Sequence, residues 1–345
     1  MRPRLHVVLL TACLSAAAQG GDSIRDVVAA VRAGLARNHG DSQTAKNLRK
    51  IKLRERLDDR TVETLESEGA GPETMSQLLL LRDRSSALPP PAAPAIEEPP
   101  APTAAEQQRI WNAAHENAIG YTDSLPDFIC NEVVRRYTDP NERGGWRLAD
   151  TLVLKLTYFD RQEDYKLVSI NNRSTRLSYE QVGGAITEGE FGSMLAAVFA
   201  LKSRTNRGWD HWTTLRKRPT HVYAFSIAAA NSDYRITSGT SAGDEEKVAA
   251  GQRGFVYIDD ASRMVVRIAA DAYGLPPDFP VQKVNLLLDY DFIDVAGRAY
   301  LLPLHSETSL DAPPTQHRNE TDFLLYRKFS ADTTITFDGV VPAKK

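Results

Sequence analysis

Val284-Asn285-Leu286-Leu287-Leu288-Asp289-Tyr290-Asp291-Phe292-Ile293-Asp294-Val295-Ala296-Gly297-Arg298-Ala299-Tyr300-Leu301-Leu302-Pro303 is the stretch that decides the fold class. Val284, Leu286, Leu288, Tyr290 and Phe292 take every second position, the period of a strand with one apolar face. Ala296-Gly297-Arg298 is a turn signal, and Tyr300 onward returns to apolar residues. A strand, a tight turn and a second strand make an antiparallel hairpin.

The same pattern recurs on both sides. Leu152, Leu154, Leu156 and Tyr158 alternate with Thr151, Val153, Lys155 and Thr157. Phe128–Val134, Tyr165–Ile170, His221–Ile227, Phe255–Ile258, Met264–Ala269, Phe323–Phe329 and Thr333–Phe337 are further strand candidates. Asp139-Pro140-Asn141 and Asp259-Asp260-Ala261-Ser262 punctuate them. Hairpin spacing without alternating helices implies an antiparallel sheet. A large sheet with one apolar face needs a cover, and two helices are predicted. One spans 104–121, with Thr103 and Glu106 as a capping box and Ile110, Trp111, Ala114, Ala118 and Tyr121 at helical spacing. The other spans 188–201, opened by Thr187-Glu188-Gly189-Glu190 and carrying the stripe Phe191, Met194, Leu195, Val198 and Phe199. The expected fold is α+β, a curved antiparallel half-barrel sheet with helices in its concave face.

Ahead of the sheet lies a charged helical block over 23–87. Ser23 is a candidate N-cap, and Ile24, Val27, Val28, Val31 and Leu35 share one helical face. Asn38-His39-Gly40 ends that helix, and Asp41 or Ser42 starts the next, on which Leu48, Ile51 and Leu57 continue the apolar face. This second helix is expected to carry Lys46, Arg49, Lys50, Lys52, Arg54 and Arg56. Downstream acidic residues balance them, which favours a solvated face over an anion-binding one. Asp58 or Asp59 caps a third helix, and Pro72 opens a fourth. The block is a small all-α bundle near the lower size limit for independent stability. Residues 88–103, almost entirely Pro, Ala and Glu, form an extended, semi-rigid Pro-rich linker. A proline-rich run can also be a ligand for an aromatic groove, with the spacer reading favoured. The sheet domain then runs over 104–340.

Residues 1–20 have the order of a signal peptide: Arg2 and Arg4, an apolar run from Leu5, then Ala16-x-Ala18. The expected destination is periplasmic or secreted. Leu10-Thr11-Ala12-Cys13 supplies an alternative, a lipoprotein anchored through Cys13. Cleavage near Ala18 leaves Cys130 as the one remaining cysteine, read as a buried core residue. The formal charge of −3 argues against nucleic acid as a partner.

The search for chemistry is negative. The histidines show no HExxH and no pair spaced for a metal. Neither a phosphate-binding glycine loop nor a GxSxG elbow is present. Asp289, Asp291 and Asp294 lack the calcium-loop glycine and glutamate. Glu188 and Glu190 are better explained as a helix cap than as an acid–base pair. No catalytic residue, metal or cofactor is assigned. The one aromatic–basic cluster is Trp209, His211 and Trp212 between Arg207 and Arg216, a candidate surface for a glycan or headgroup, against a packed hairpin edge.

Gly254–Asp259, Met264–Ile268, Leu288–Gly297 and Tyr300–Pro303 together resemble the second half of the LolA/LolB lipoprotein-carrier fold. The resemblance covers at most 104–340 and implies a half-barrel whose apolar cavity holds acyl chains, with Phe191, Met194, Leu195, Val198 and Phe199 as candidate lining. The helical block and linker lie outside that pattern. The chain also resembles uncharacterised exported proteins through Leu125–Cys130, Arg135–Tyr137 and Gly189–Leu195. The implied function is a non-enzymatic exported binding protein whose partner is a lipid or acyl chain. The alternatives are an envelope scaffold whose helical block docks a protein, and a hydrolase with no identified residues. An outer-membrane barrel is disfavoured by the ending Val340-Val341-Pro342-Ala343-Lys344-Lys345.

Overall fold

The structure is a computed structural model, and it describes residues 21–37, 40–91, 99–140, 146–183, 192–238 and 246–329. The signal-like segment with Cys13, the Asn38-His39 turn, Thr187–Phe191 and the strand expected at Thr333–Phe337 lie outside the described residues. The chain divides into two compact units, one of residues 1–97 with 215–217 and one of 98–214 with 218–345.

The first unit holds α1 (Ile24–Ala36), α2 (Asp41–Leu48), α3 (Asp59–Ser67) and α4 (Pro72–Ser85). Ser23 and Asp26 form a reciprocal capping box on α1. Ile24, Val27, Val31, Leu48, Leu57, Leu65 and Leu78 make its core. Asp41 begins α2 as expected, and its carboxylate also caps α4, accepting from Glu73 N (2.7 Å) and Thr74 N (2.9 Å). One expectation is corrected: α2 ends at Leu48, so only Lys46 of the six basic residues is helical. Asp22 draws the following segment into an extended path: its backbone exchanges bonds with Lys52 and Arg54, and its carboxylate accepts from Lys52 N. Glu55 then accepts from Ile24 N at the start of α1 (2.8 Å).

The second unit opens with α5 (Ala104–Ile119), α6 (Tyr121–Ser124), β1 (Phe128–Asp139), β2 (Arg147–Phe159), β3 (Gln162–Ile170) and β4 (Arg173–Ser174). It continues with α7 (Ser193–Phe199), β5 (Asn206–Leu215), β6 (Arg218–Ile227), β7 (Arg235–Ser238), β8 (Glu246–Ala249) and β9 (Gly251–Asp259). Last come β10 (Val265–Tyr273), β11 (Lys283–Val295), β12 (Arg298–Ala312) and β13 (Thr315–Lys328). Eleven strands form one sheet in the order β4-β3-β2-β1-β13-β12-β11-β10-β9-β6-β5, while β7 and β8 pair separately. Among the described residues the order has two ends and no closing pair, and the sheet is a curved half-barrel. Four two-residue hairpin turns have positive φ at both positions: Asp160-Arg161, Asn171-Asn172, Arg216-Lys217 and Ala296-Gly297. This is the type I′ geometry that matches strand twist.

Register separates the two faces. Directly paired residues share a face. Tyr223, Val256, Ile268, Leu288, Ser306, Thr321, Val134 and Leu152 form one paired row across eight strands. Each is 3% exposed or less. The next row, Val222, Tyr257, Arg267, Asp289, His305, Asp322, Val133 and Val153, points the other way. The first row faces α5 and α7.

Candidate functional site

The apolar stripe on α7 sits where the sheet face and α5 converge. Helix α7 is seven residues long, shorter than expected, and the part of its cap predicted from sequence lies outside the described residues. Met194, Leu195, Val198 and Phe199 are buried. Phe199 packs on Trp111 of α5 at 4.7 Å between ring centroids and edge-on against His115 at 6.3 Å. Trp111 in turn meets Tyr223 of β6 at 5.4 Å, and the Tyr223 hydroxyl donates to Gln107 O (2.8 Å). Burial pushes the Tyr223 phenol up, holding it neutral. Gln252 of β9 reaches Met194 Sδ (3.8 Å). Two turns of helix thus cover the sheet at this end. Arg207, read as flanking the tryptophan cluster, instead lies over the Trp111 ring at 4.8 Å.

Short α6 fastens the other end. Tyr121 is fully buried, edge-on to Tyr290 at 5.9 Å, and donates to Leu301 O (3.0 Å). Beside it opens a cleft of about 280 Å³ among Thr122, Asp123, Asp127, Tyr158 and Arg161, with Arg161 paired to Asp123 (2.8 Å). No residue of the α7 stripe lines it. Its volume falls just below the roughly 300–1,000 Å³ usual for ligand pockets.

Trp209, His211 and Trp212 lie on β5, at one end of the sheet order. They do not form one cluster. His211 is buried and pairs with Asp210 (2.6 Å). The imidazole between the two indoles is His221 of β6. Trp212 lies 4.0 Å from the His221 ring, tilted by 36°, and Trp209 Nε1 donates to His221 Nδ1 (3.4 Å). With Nδ1 accepting, His221 Nε2 carries the proton and faces Asp260 (2.9 Å); Arg263 Nη1 stands 3.0 Å from the same nitrogen and donates to Asp260 (2.6 Å). Burial pushes the His221 imidazole down, outweighing the Asp260 carboxylate, and the ring is neutral. Burial alone would raise Asp260; Arg263 and the His221 bond hold it below the usual carboxylate range. Both ring nitrogens are engaged, so the group is a rigid platform rather than a base. The sequence signal for His221 was its place in an alternating strand, read only as structure.

The second paired row carries an ionic ladder. Arg267 binds Asp289 through two bonds of 2.7 Å, both residues buried. Next in the row, His305 Nδ1 meets Asp322 (2.8 Å), and Arg135 NH2 donates to the same carboxylate (2.5 Å). Burial alone would lower His305, but the Asp322 bond and the charges of Asp289, Asp322 and Glu307 raise it. Burial alone would raise Asp322; His305 and Arg135 bring it down to about 2. Asp289, set aside as a calcium ligand, is thus the partner of Arg267. Cys130 is buried among Phe128, Leu156, Tyr158 and Phe323, and burial pushes its thiol up. Among the described residues no group of three or more His, Cys, Asp or Glu is set to hold a metal. No helix among them is long and apolar enough to cross a membrane.

No family model matches the chain, and no curated protein matches it. Several solved structures resemble it, among them the following three. One is to a DUF1329 family protein from Desulfovibrio piger, at 10% identity over 65% of this chain and 94% of that one, TM-score 0.29. Another is to a domain described as an outer membrane lipoprotein-sorting protein from Vibrio parahaemolyticus, at 10% identity over 65% and 93%, TM-score 0.29. The third is to a chain of the MucA/MucB complex of Pseudomonas aeruginosa, at 9% identity over 66% and 100%, TM-score 0.19.

Proposed function

We propose that this chain is an exported, non-enzymatic binding protein that holds an apolar ligand, an acyl chain, against the inner face of its half-barrel. The observation that supports it is the cover. The inner row is met at the β6–β9 end, where its residues are apolar or aromatic, by α5 and by a helix of only two turns, whose residues Met194, Leu195, Val198 and Phe199 are buried. The stripe is buried against the sheet, so the ligand takes its place there. Phe191 belongs to the same proposal by sequence.

Titration of the full chain with a fluorescent fatty acid tests this. Binding should occur at a one-to-one ratio and quench the fluorescence of Trp111, which touches Phe199. Met194→Ala and Phe199→Ala loosen the helix from the sheet and should raise affinity or on-rate. A wild type that binds no fatty-acid probe, together with a Phe199→Ala loss of about 3–5 kcal/mol in denaturant stability, identifies a sealed core and rejects the reading.

A further inference from the structure

We propose that Trp212, backed by His221, is a polyproline-docking platform, and that its occupant is the chain's own segment Pro99–Pro102. The Trp212 indole N–H donates to Pro100 O (3.2 Å). Two residues on, Pro102 O accepts from the Gln107 side chain of α5 (2.9 Å). Three of these four residues are prolines with no N–H to give, and the carbonyls of an extended proline-rich run point outward. Side-chain donors are what such a run needs from a receptor. An indole N–H set at the lip of an aromatic surface is the arrangement by which aromatic-lined grooves take polyproline helices. Here the surface is built: Trp212 lies against His221, tilted by 36°, and that ring is held by Trp209 on one nitrogen and by the Asp260–Arg263 pair on the other. Immediately after the docked carbonyls, the Thr103–Glu106 capping box fixes where α5 begins. Residues 99–102 are therefore held through the carbonyls of Pro100 and Pro102. The indole edge assigned from sequence to a glycan or headgroup is already engaged.

The clamp is intramolecular, so a peptide in trans competes against an effective concentration on the order of millimolar. That gives a decisive experiment on the full chain. Trp212→Phe assigns the Trp212 indole signal in a ¹⁵N correlation spectrum. Replacing Pro99 and Pro100 by glycine removes the preorganised polyproline turn and should move that signal, while the Trp111 and Trp146 indole signals stay in place as a folding control. A synthetic peptide of residues 88–103 should then return the signal toward its wild-type position, and should act on the wild type at least ten-fold more weakly. An unmoved Trp212 signal in the glycine variant overturns the proposal. So does a peptide that shifts neither protein, or shifts both at equal concentration. Because neither readout involves the α7 stripe, fatty-acid binding and linker docking can fail independently.

Discussion

Replacing Asp289 by asparagine should cost the sheet unit about 3–5 kcal/mol. That is the range for removing one partner of a buried ion pair and leaving the other charge uncompensated. The structure places this pair in that class. Arg267 is 6% and Asp289 4% exposed, and the two hydrogen bonds joining them are both 2.7 Å. Asparagine keeps the shape and one acceptor but loses the charge, and it puts an amide donor against a guanidinium that has only donors. The pair itself is a different matter. Two buried charges forfeit hydration that their attraction only partly returns, so Arg267→Met with Asp289→Leu should fall within about 1 kcal/mol of wild type. All four tryptophans, Trp111, Trp146, Trp209 and Trp212, lie in the unit of residues 98–214 and 218–345. Indole fluorescence in a urea titration therefore reads this unit without interference from the helical one. A second readout separates electrostatics from packing. The Asp289 charge helps raise the His305 pKa, so Asp289→Asn should lower it in an NMR titration of the imidazole. A raised folded pKa contributes stability that is present below the unfolded value and lost as pH rises through the folded one. The cost of Asp289→Asn should accordingly be larger at pH 5 than at pH 8. A cost under about 1 kcal/mol, a double variant as unstable as the single one, or an unmoved His305 would each refute the ladder as described.

Gly254→Ala should destabilise the sheet by about 3 kcal/mol or more in denaturant titration, because an added Cβ would stand 2.0 Å from Ala269 O across the β9–β10 pair; loss below about 1 kcal/mol would show that the strands can part there. Cys130 should not react with an aromatic disulfide reagent in native buffer and should react fully in denaturant, since it is buried and its thiol is held protonated; stoichiometric native labelling contradicts this. Asp322, at about 2 folded against 3.8 for the ordinary carboxyl, contributes stability above pH about 4 that is lost as pH falls toward 2. Asp322→Asn should therefore flatten the acid limb of the stability–pH curve between those values, and an unchanged slope would remove Asp322 from the ladder.

The sequence was most legible where one physical signal acted alone. Period-two alternation gave β2 and β11, and the Thr103–Glu106 box gave the start of α5. It was least legible where local chemistry was overruled by a distant partner. Asp41 starts its own helix, as its position suggests, but its carboxylate caps the distant α4. Lys46–Arg56 reads as a basic helix, yet Asp22 and Glu55 give its backbone and neighbours other bonds to make. The turns at Asp160-Arg161 and Arg216-Lys217 carry no glycine, and their positive φ values are imposed by the flanking strands. Strands β12 and β13 run past 304 and before 323 on residues such as Ser306, Thr308, Asn319 and Thr321, polar side chains that alternation scores as solvent-facing and that the sheet buries. The aromatic cluster was found by composition, but its centre, His221, comes from the neighbouring strand.

Those polar residues and the ionic ladder bear on one problem, register. In an antiparallel sheet a slip of one residue sends every side chain to the opposite face. The inner row Tyr223-Val256-Ile268-Leu288-Ser306-Thr321-Val134-Leu152 is not fully apolar, so hydrophobic pairing alone discriminates weakly at β12 and β13. The adjacent row supplies what is missing. Asp289, His305 and Asp322 find their charged partners only when β10, β11, β12, β13 and β1 are aligned as observed. A slip of β11 by one residue would carry Asp289 toward the face of Leu288 and strand Arg267, a penalty of several kcal/mol against one register and not the other. On this argument the Arg267→Met, Asp289→Leu double variant should keep its stability and lose its uniqueness. Its ¹⁵N correlation spectrum should show doubled or broadened amides along β10–β12, whereas a single sharp set of peaks would mean that the apolar rows and tight turns specify the pairing unaided.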